Sequence, residues 1–369
     1  VNNERLRIVT VAFNPGEELA LWAESVGEAT RRAVDVVIVD NGTDAETVDA
    51  VGRIYGAAVL RPGRNLGYGT AVNRGVKALR ERSAAAAAPG RTTGSLDGRP
   101  LNARESNDVQ GSTGADVDSG AANASGFPGA PSAEGPLDSR DSEWIVVVNP
   151  DVVFLPGAID KLIAAAAAWP RGGAFGPLVR DRAGTVYPSA RKFPRLVSGV
   201  GHALLVGVWP NNPFSRAYRE NADTTRAHVV DWLSGSCLLL RREAFDAVGG
   251  FDESYFMFFE DTTLGEQLAS AGWQSVFVPD AEVVHDQGAS WRSKPENMIR
   301  AHHRSAARYL DGVYSKPCQA PLRWALRAGL KAREELLVRL SRRGEKKSRA
   351  RRNRRGEAGE KGNTSLAEG

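Results

Sequence analysis

Glu143-Trp144-Ile145-Val146-Val147-Val148-Asn149-Pro150-Asp151-Val152 decides the fold. Its β-branched run has no polar alternation, the pattern of a strand covered on both faces. Proline has no N–H to give to a ladder, so pairing should stop at Pro150. Asp151 is then left at the carboxyl end of the strand, where open α/β sheets bind their ligands. An aspartate there can equally open a loop or cap the helix expected after Pro156. The rest of the chain decides between these readings.

Upstream, Leu6 to Phe13 is a short apolar run broken by Asn14-Pro15-Gly16, and Glu17 to Thr30 has helical spacing at Leu19, Trp22, Val26 and Ala29. A second buried strand, Val34 to Val39, runs into Asp40-Asn41-Gly42-Thr43. Thr43 or Asp44 can cap a helix carrying Val48, Val51, Ile54 and Tyr55, and Ala57 to Leu60 reads as a third strand. This β-α-β-α-β order predicts a parallel sheet with right-handed crossovers. Arg64-Asn65-Leu66-Gly67-Tyr68-Gly69-Thr70-Ala71-Val72-Asn73-Arg74-Gly75 then leads into a helix reaching about Arg82. Gly67 and Gly69 permit close backbone approach, and the free N–H groups that open a helix attract phosphate. The third glycine of a dinucleotide fingerprint is missing. From Ser83 to Ser142 the chain turns to Ala, Gly, Ser, Asp, Asn and Pro, too few large apolar groups to offset ordering entropy, so a disordered insertion is expected.

Downstream, Gly157 to Trp169 is predicted helical and Gly173 to Pro177 a short or edge strand. Tyr187 to Pro194 and Val206 to Phe214 are rich in proline and aromatics, which suits a segment covering substrate. Leu196 to Val208 suits a buried core helix or one lying at a lipid interface. Val229 to Arg242 contains a strand, with a helix from about Arg242, and Gly249-Gly250-Phe251-Asp252-Glu253 is a turn. Tyr255-Phe256-Met257-Phe258-Phe259-Glu260-Asp261 sets two acids at the end of an aromatic run, before a helix Thr262 to Ala271. Val276 to Val278 and Glu282 to His285 complete the sheet.

Beyond Lys294 the pattern is helical. In Leu322 to Leu340 the residues Leu322, Leu326, Gly329, Leu330, Leu336, Leu337 and Leu340 share a stripe, with Arg323, Arg327, Lys331 and Arg339 off it and Arg333 within it. Such a helix packs on a neighbour or lies in a membrane interface with its basic face toward anionic headgroups. The net charge of +4 is small, but Arg342-Arg343, Lys346-Lys347, Arg349, Arg351-Arg352 and Arg354-Arg355 crowd one end, the pattern of a solvated basic tail. No interleaved aromatics accompany it, so no nucleic-acid partner is expected.

The apolar fraction of 42% and charged fraction of 25% are those of a globular soluble protein. Cys237 and Cys318 supply neither a disulfide framework nor metal-ligand spacing, and no apolar run reaches the roughly 18 residues of a membrane span. A protein of the cytosol, or of the cytosolic face of a membrane, is expected.

Asp40, Asp151, the Glu260-Asp261 pair and His285 all sit at expected strand ends or a helix start. Transfer of a group from a nucleoside diphosphate needs recognition of the base, neutralisation of the leaving diphosphate and deprotonation of the nucleophile. One or two carboxylates with substrate phosphates suit Mg2+, and a histidine ligand such as His285 also admits Mn2+. A carboxylate near the acceptor hydroxyl would act as general base.

In this order, Val39-Asp40-Asn41-Gly42-Thr43, Asn65 to Asn73, Asn149-Pro150-Asp151-Val152, Trp232-Leu233-Ser234-Gly235-Ser236-Cys237, Gly249 to Glu253, Phe259-Glu260-Asp261 and His285 resemble the motif set of the family 2 glycosyltransferases of GT-A fold. Tyr187-Pro188-Ser189-Ala190-Arg191, Trp209-Pro210 with Asn212-Pro213, Ala301-His302-His303 and Ala320-Pro321-Leu322-Arg323-Trp324 are similar, more narrowly, to the actinobacterial WbbL-type rhamnosyltransferases. The resemblance spans residues 5–82 and 143–340.

It implies a GT-A, Rossmann-like α/β fold, a mostly parallel sheet flanked by helices with a C-terminal helical extension. Residues 1–82 would form the nucleotide-sugar half and 143–293 the metal, acceptor and catalytic half. Residues 83–142 are the insertion, 294–343 the C-terminal helices and 344–369 a basic disordered tail. The implied reaction transfers L-rhamnose from dTDP-L-rhamnose, with inversion, to N-acetylglucosaminyl-diphosphoryl-polyprenol, in making the linker between peptidoglycan and arabinogalactan. The alternative is another family 2 transferase, such as a galactofuranosyltransferase, with a lipid-linked or polysaccharide acceptor.

By the same resemblance, Asn14, Asp40, Asn41, Asn65, Gly67, Asn73 and Asp151 serve the nucleotide sugar, and Asp261 is the base, oriented by Glu260. Gly235 lies under the acceptor sugar and Arg191 faces the acceptor, while His302 and His303, flanked by Arg300 and Arg304, either touch an acceptor diphosphate or form an ordinary exposed helix face. Asp151 stands for the second acid of the family's Asp-x-Asp and Asn149 for the first. That leaves Asp151, with His285, to hold Mg2+ or Mn2+. A membrane surface, met through the C-terminal basic amphipathic helix, is the further partner implied.

Overall fold

The structure is a computed structural model that describes residues 5–87, 144–194, 223–285 and 295–364. The low-complexity insertion beyond residue 87, the Leu196–Val208 segment and the Trp209-Pro210 motif lie outside the described residues. By contact the chain divides into two units, Val1–Phe256 with Glu260–Gln287, and Met257–Phe259 with Gly288–Gly369.

The first unit opens with β1 (Leu6–Ala12), α1 (Glu18–Ala29), β2 (Val34–Asp40), α2 (Ala45–Tyr55), β3 (Ala58–Leu60) and α3 (Tyr68–Ala87). It continues with β4 (Trp144–Val148), β5 (Val152–Phe154), α4 (Ala158–Ala166), β6 (Gly172–Arg180), β7 (Val186–Tyr187) and β8 (Ala190–Arg191). It ends with β9 (His228–Val230), β10 (Trp232–Leu233), β11 (Cys237–Arg241), α5 (Arg242–Ala247), α6 (Glu260–Ser270) and β12 (Gln274–His285). Asp44 caps α2 by accepting from the Glu46 N–H at 3.2 Å, so the second of the two candidate caps is the one used.

The main sheet runs β3-β2-β1-β4-β11-β6-β12-β5. Strand alternation divides its side chains between two cores. Leu6, Ile8, Val146 and Val148 meet Leu19, Trp22 and Val26 of α1 and Ile159 and Leu162 of α4 on one face. Val9, Val11, Ile145 and Val147 meet Val72, Val76 and Leu79 of α3 and Leu264 and Leu268 of α6 on the other. Period-2 alternation between two apolar layers is why these strands read as unbroken hydrophobic runs.

The sheet is mixed rather than mostly parallel. β1 pairs in parallel with β2 and β4, but β11 lies antiparallel between β4 and β6. The expected short strand at Gly173–Pro177 is the nine-residue β6, in the sheet interior. The two expected strands before His285 are one, β12, whose register shifts between Val278 and Glu282. Strand order reverses beside β1, and the crevice at the carboxyl ends of β1 and β4 is the usual ligand position of such a sheet.

In the second unit, α7 (Pro295–Val313) and α8 (Ala320–Thr364) pack on each other. The helix α8 continues to Thr364, so described residues of the expected disordered tail are helical. The hairpin is tied by Arg300, which bonds Glu296 at 3.1 Å and Glu334 at 2.8 Å, and by Arg342 on Glu296 at 2.6 Å. Among the described residues no helix is long and apolar enough to cross a membrane.

Candidate active site

The site grows from the end of β4. Because β11 runs antiparallel to β4, with Cys237 opposite Val148, the loop just before β11 lies beside the Asn149-Pro150-Asp151 turn. The Asn149 N–H donates to Ser236 O at 2.9 Å. On the other side of the turn β5 pairs with β12, and His285 stands opposite Val152. That pairing sets His285 Nε2 3.1 Å from Asp151 Oδ1. His285 is buried, and among the described residues its Nδ1 has no hydrogen-bond partner.

Asp261 sits in the first turn of α6. Its Oδ2 accepts from the Gly235 N–H at 3.0 Å and its Oδ1 from the Thr262 N–H at 2.7 Å. Burial raises its pKa, and these two N–H groups and Arg191 pull against that rise. Glu260 is buried beside it, with Oε2 unpartnered among the described residues. Burial, and then the neighbouring Asp261 charge, push Glu260 up to about 8, so it carries its proton at neutral pH. Burial thus pushes both carboxyls of the pair toward the protonated form, and at Asp261 the Gly235 and Thr262 N–H groups oppose that push.

Arg191 lies over the rings of Tyr187 and Trp232, 5.1 and 5.3 Å from their centroids, and donates to Pro188 O at 2.7 Å. Gly235 is buried, and a Cβ on it would stand 3.4 Å from Asp261 Cβ and 3.5 Å from Tyr68 Cε1. Tyr68, a residue not singled out from the sequence, donates its hydroxyl to Gly235 O at 2.6 Å.

The expected nucleotide residues surround the β1 and β2 ends. Asp40 is buried, accepting from the Gly42 N–H at 3.0 Å and from Arg61 Nε at 3.2 Å. Asn14, at φ 47°, accepts from the Thr43 and Asp44 N–H groups. Asn41 donates to Gly67 O at 3.0 Å and Asn65 accepts from the Gly67 N–H at 2.9 Å, so both shape the loop that opens α3. Gly67 takes φ 82°, and a Cβ there would meet Phe256 O at 2.2 Å. Asn73 brackets Phe251, donating to its O at 2.9 Å and accepting from its N–H at 3.0 Å. Its amide is therefore engaged with the Gly250-Phe251 turn.

The two histidines expected to face acceptor lie within the helical unit. His302 packs on Phe258 and Phe259, and burial pulls its pKa down to about 4, with His303 and Arg333 adding to the fall. His303 has Nδ1 2.8 Å from Ile299 O and Nε2 3.0 Å from an Arg333 guanidinium nitrogen. Phe258 and Phe259, which precede the Glu260-Asp261 pair, have φ of 67° and 68°. Positive φ at two successive aromatic residues is a costly backbone of the kind that clusters at functional sites.

Among the described residues no three His, Cys, Asp or Glu side chains cluster as metal ligands. The two expected cation ligands, Asp151 and His285, stand 3.1 Å apart.

Residues 23–306 match the family model described as "Glycosyltransferase like family 2". The chain is 41% identical over 337 residues to the N-acetylglucosaminyl-diphospho-decaprenol L-rhamnosyltransferase of Mycobacterium tuberculosis (strain ATCC 25618 / H37Rv), covering 91% of this chain and 94% of that protein. It is 33% identical over 173 residues to the rhamnosyltransferase WbbL of Escherichia coli (strain K12), covering 46% of this chain and 62% of that one. Among solved structures, the mannosyltransferase PcManGT of Pyrobaculum calidifontis in complex with GDP-Man and Mn2+ aligns at a TM-score of 0.46 and 14% identity, covering 90% of this chain and 72% of that chain. With most of its length under that family model and a full-length relative of this similarity, the chain belongs to the family 2 glycosyltransferases and is a glycosyltransferase of GT-A-like fold.

Proposed function

We propose that the enzyme transfers L-rhamnose from dTDP-L-rhamnose to N-acetylglucosaminyl-diphosphoryl-polyprenol, with inversion at the anomeric carbon. The observation that carries donor and acceptor is 41% identity across 94% of the M. tuberculosis rhamnosyltransferase. The chemistry rests on Asp261. An acceptor hydroxyl oxygen attacks the anomeric carbon as the bond to the diphosphate oxygen breaks, and Asp261 takes the hydroxyl proton. The Gly235 and Thr262 N–H groups and Arg191 favour the ionised form at Asp261, and Glu260 beside it holds its proton more tightly than a free glutamate.

Asp40, the loops of Asn14, Asn41, Asn65 and Gly67, and Asn73 of α3 form the nucleotide side, and Gly235 and Arg191 the acceptor side. Asp151 and His285 fit a divalent cation. One carboxylate and one imidazole, already 3.1 Å apart, are donors suited to Mn2+ or Mg2+ that completes its shell with diphosphate oxygens. When bound, such an ion would neutralise charge on the leaving diphosphate.

A polyprenyl acceptor requires work at a bilayer surface. In support, α8 exposes Trp324, Leu336 and Leu340, while Leu326, Leu330 and Leu337 of the same helix are partly buried. The exposed apolar residues and the basic run from Arg342 to Arg355 suit peripheral binding to anionic lipid.

The test is single-turnover transfer from radiolabelled dTDP-rhamnose to a short-chain N-acetylglucosaminyl-diphosphoryl-lipid, with and without EDTA, for wild type and Asp261→Asn. Cation-dependent transfer that the variant loses while keeping dTDP binding is expected. No transfer by folded wild type with added Mg2+ or Mn2+ would overturn the rhamnosyl assignment.

A further inference from the structure

The geometry points to Tyr68 as a positioning residue that sets the catalytic base: its hydroxyl anchors the Gly235 peptide segment whose N–H holds Asp261. This rests on the reading of Asp261 as the base. Three elements distant in sequence meet here, namely the start of α3, the loop before β11 and the start of α6.

The chain of contacts is continuous. The Tyr68 hydroxyl donates to Gly235 O at 2.6 Å, and the Gly235 N–H donates to Asp261 Oδ2 at 3.0 Å. Asp261 Oδ1 is held by its own neighbour, Thr262. The Gly235 bond therefore ties the carboxylate to something outside its own helix. Gly235 is packed between the other two residues, with van der Waals distances of 3.4 Å to Asp261 and 3.5 Å to Tyr68 from the place a Cβ would take.

Tyr68 is itself well anchored. Its N–H donates to Phe256 O at 3.0 Å, and its ring meets Phe251 edge-on at 6.2 Å between centroids. The preceding Gly67 has no room for a side chain against Phe256. A carbonyl oxygen only accepts, so the phenol must donate. Burial, then Glu260, Asp261 and Asp151, hold its pKa well above the ordinary value, so it remains a donor across the working range. The other charged group facing Asp261 is Arg191, which favours the ionised carboxylate.

Phenylalanine would keep the ring on Phe251 and remove only the tether. For Tyr68→Phe in the full-length enzyme, kcat should fall about tenfold or more, since small misplacements of a reacting group are costly. The Kd for dTDP and the Tm should stay near wild type. The acid limb of kcat/KM should move to higher pH, because a loosened Gly235 N–H stabilises the Asp261 carboxylate less. Incorporating 4-aminophenylalanine at position 68 restores an N–H donor and should recover kcat.

Wild-type kcat in Tyr68→Phe, a loss confined to dTDP binding, or a lower Tm with an unmoved acid limb and no recovery by the amino analogue would each overturn the assignment. Asp261→Asn, assayed alongside, separates the two readings. If that variant is inactive while Tyr68→Phe is unimpaired, only the tether fails. If Asp261→Asn retains transfer, the base reading fails and the tether with it.

Discussion

His285 Nε2 lies 3.1 Å from Asp151 Oδ1 because the antiparallel pairing of β12 with β5 puts His285 opposite the residue that follows Asp151. With Asn149 neutral, the imidazole is the natural second donor to a cation, and His285→Ala should weaken Mn2+ binding about tenfold or more. Titration of Mn2+ by electron paramagnetic resonance, in the presence of dTDP, reads this directly. Unchanged Mn2+ affinity would remove His285 from the metal site.

Glu260 gives the fold a pH dependence of definite sign. Its folded pKa is raised from 4.5 to about 8, so the folded protein binds this proton more tightly than the unfolded chain. The stability from protonated Glu260 is fully present below about pH 4.5 and is lost as pH rises to about 8. Glu260→Gln keeps the shape and removes the titration. Its Tm relative to wild type should rise between about pH 5 and about pH 8. A Tm difference that is constant across that interval would show that Glu260 ionises freely in the folded protein.

Two glycines one contact apart should behave differently. Gly67→Ala meets both a left-handed backbone and a carbonyl 2.2 Å from the new Cβ, so it should cost roughly 1–2 kcal/mol or more in a denaturant melt. Gly235→Ala meets contacts no shorter than 3.4 Å and should fold near normally. Its methyl group would narrow the acceptor side of Asp261, raising the KM for acceptor with dTDP binding unchanged. A wild-type acceptor KM in folded Gly235→Ala would remove Gly235 from the acceptor side.

These residues show what a sequence can disclose and what it cannot. Buried strands ending in acids were legible because β-branched runs and Pro150 act locally, and α1 was legible because Leu19, Trp22, Val26 and Ala29 repeat at helical spacing and are all fully buried. The antiparallel insertion of β11 was not, because strand direction is set by which partner edge is free, not by the residues of Cys237–Arg241. Tyr68 was hidden for the same kind of reason. Within Gly67-Tyr68-Gly69 it reads as an aromatic in a glycine-rich turn, and its chemistry appears only when Gly235, 167 residues further along the chain, is brought against it.

The stripe on the last helix was only half legible. Periodicity put Leu326, Leu330, Leu336, Leu337 and Leu340 together, but Leu326, Leu330 and Leu337 are partly buried while Leu336 and Leu340 are exposed with Trp324. An apolar surface that survives helix pairing is the part available to lipid, and membrane insertion gains with buried apolar area and basic charge together. Leu336→Glu combined with Leu340→Glu should therefore reduce co-sedimentation with phosphatidylglycerol vesicles by about tenfold, at 0.7–0.8 kcal/mol or more per residue. Because both side chains are exposed, the Tm should be nearly unchanged. Transfer to a water-soluble short-chain acceptor should also survive, while transfer to a long-chain polyprenyl acceptor in vesicles falls. Equal vesicle binding by the double variant would assign lipid contact to some other surface of the enzyme.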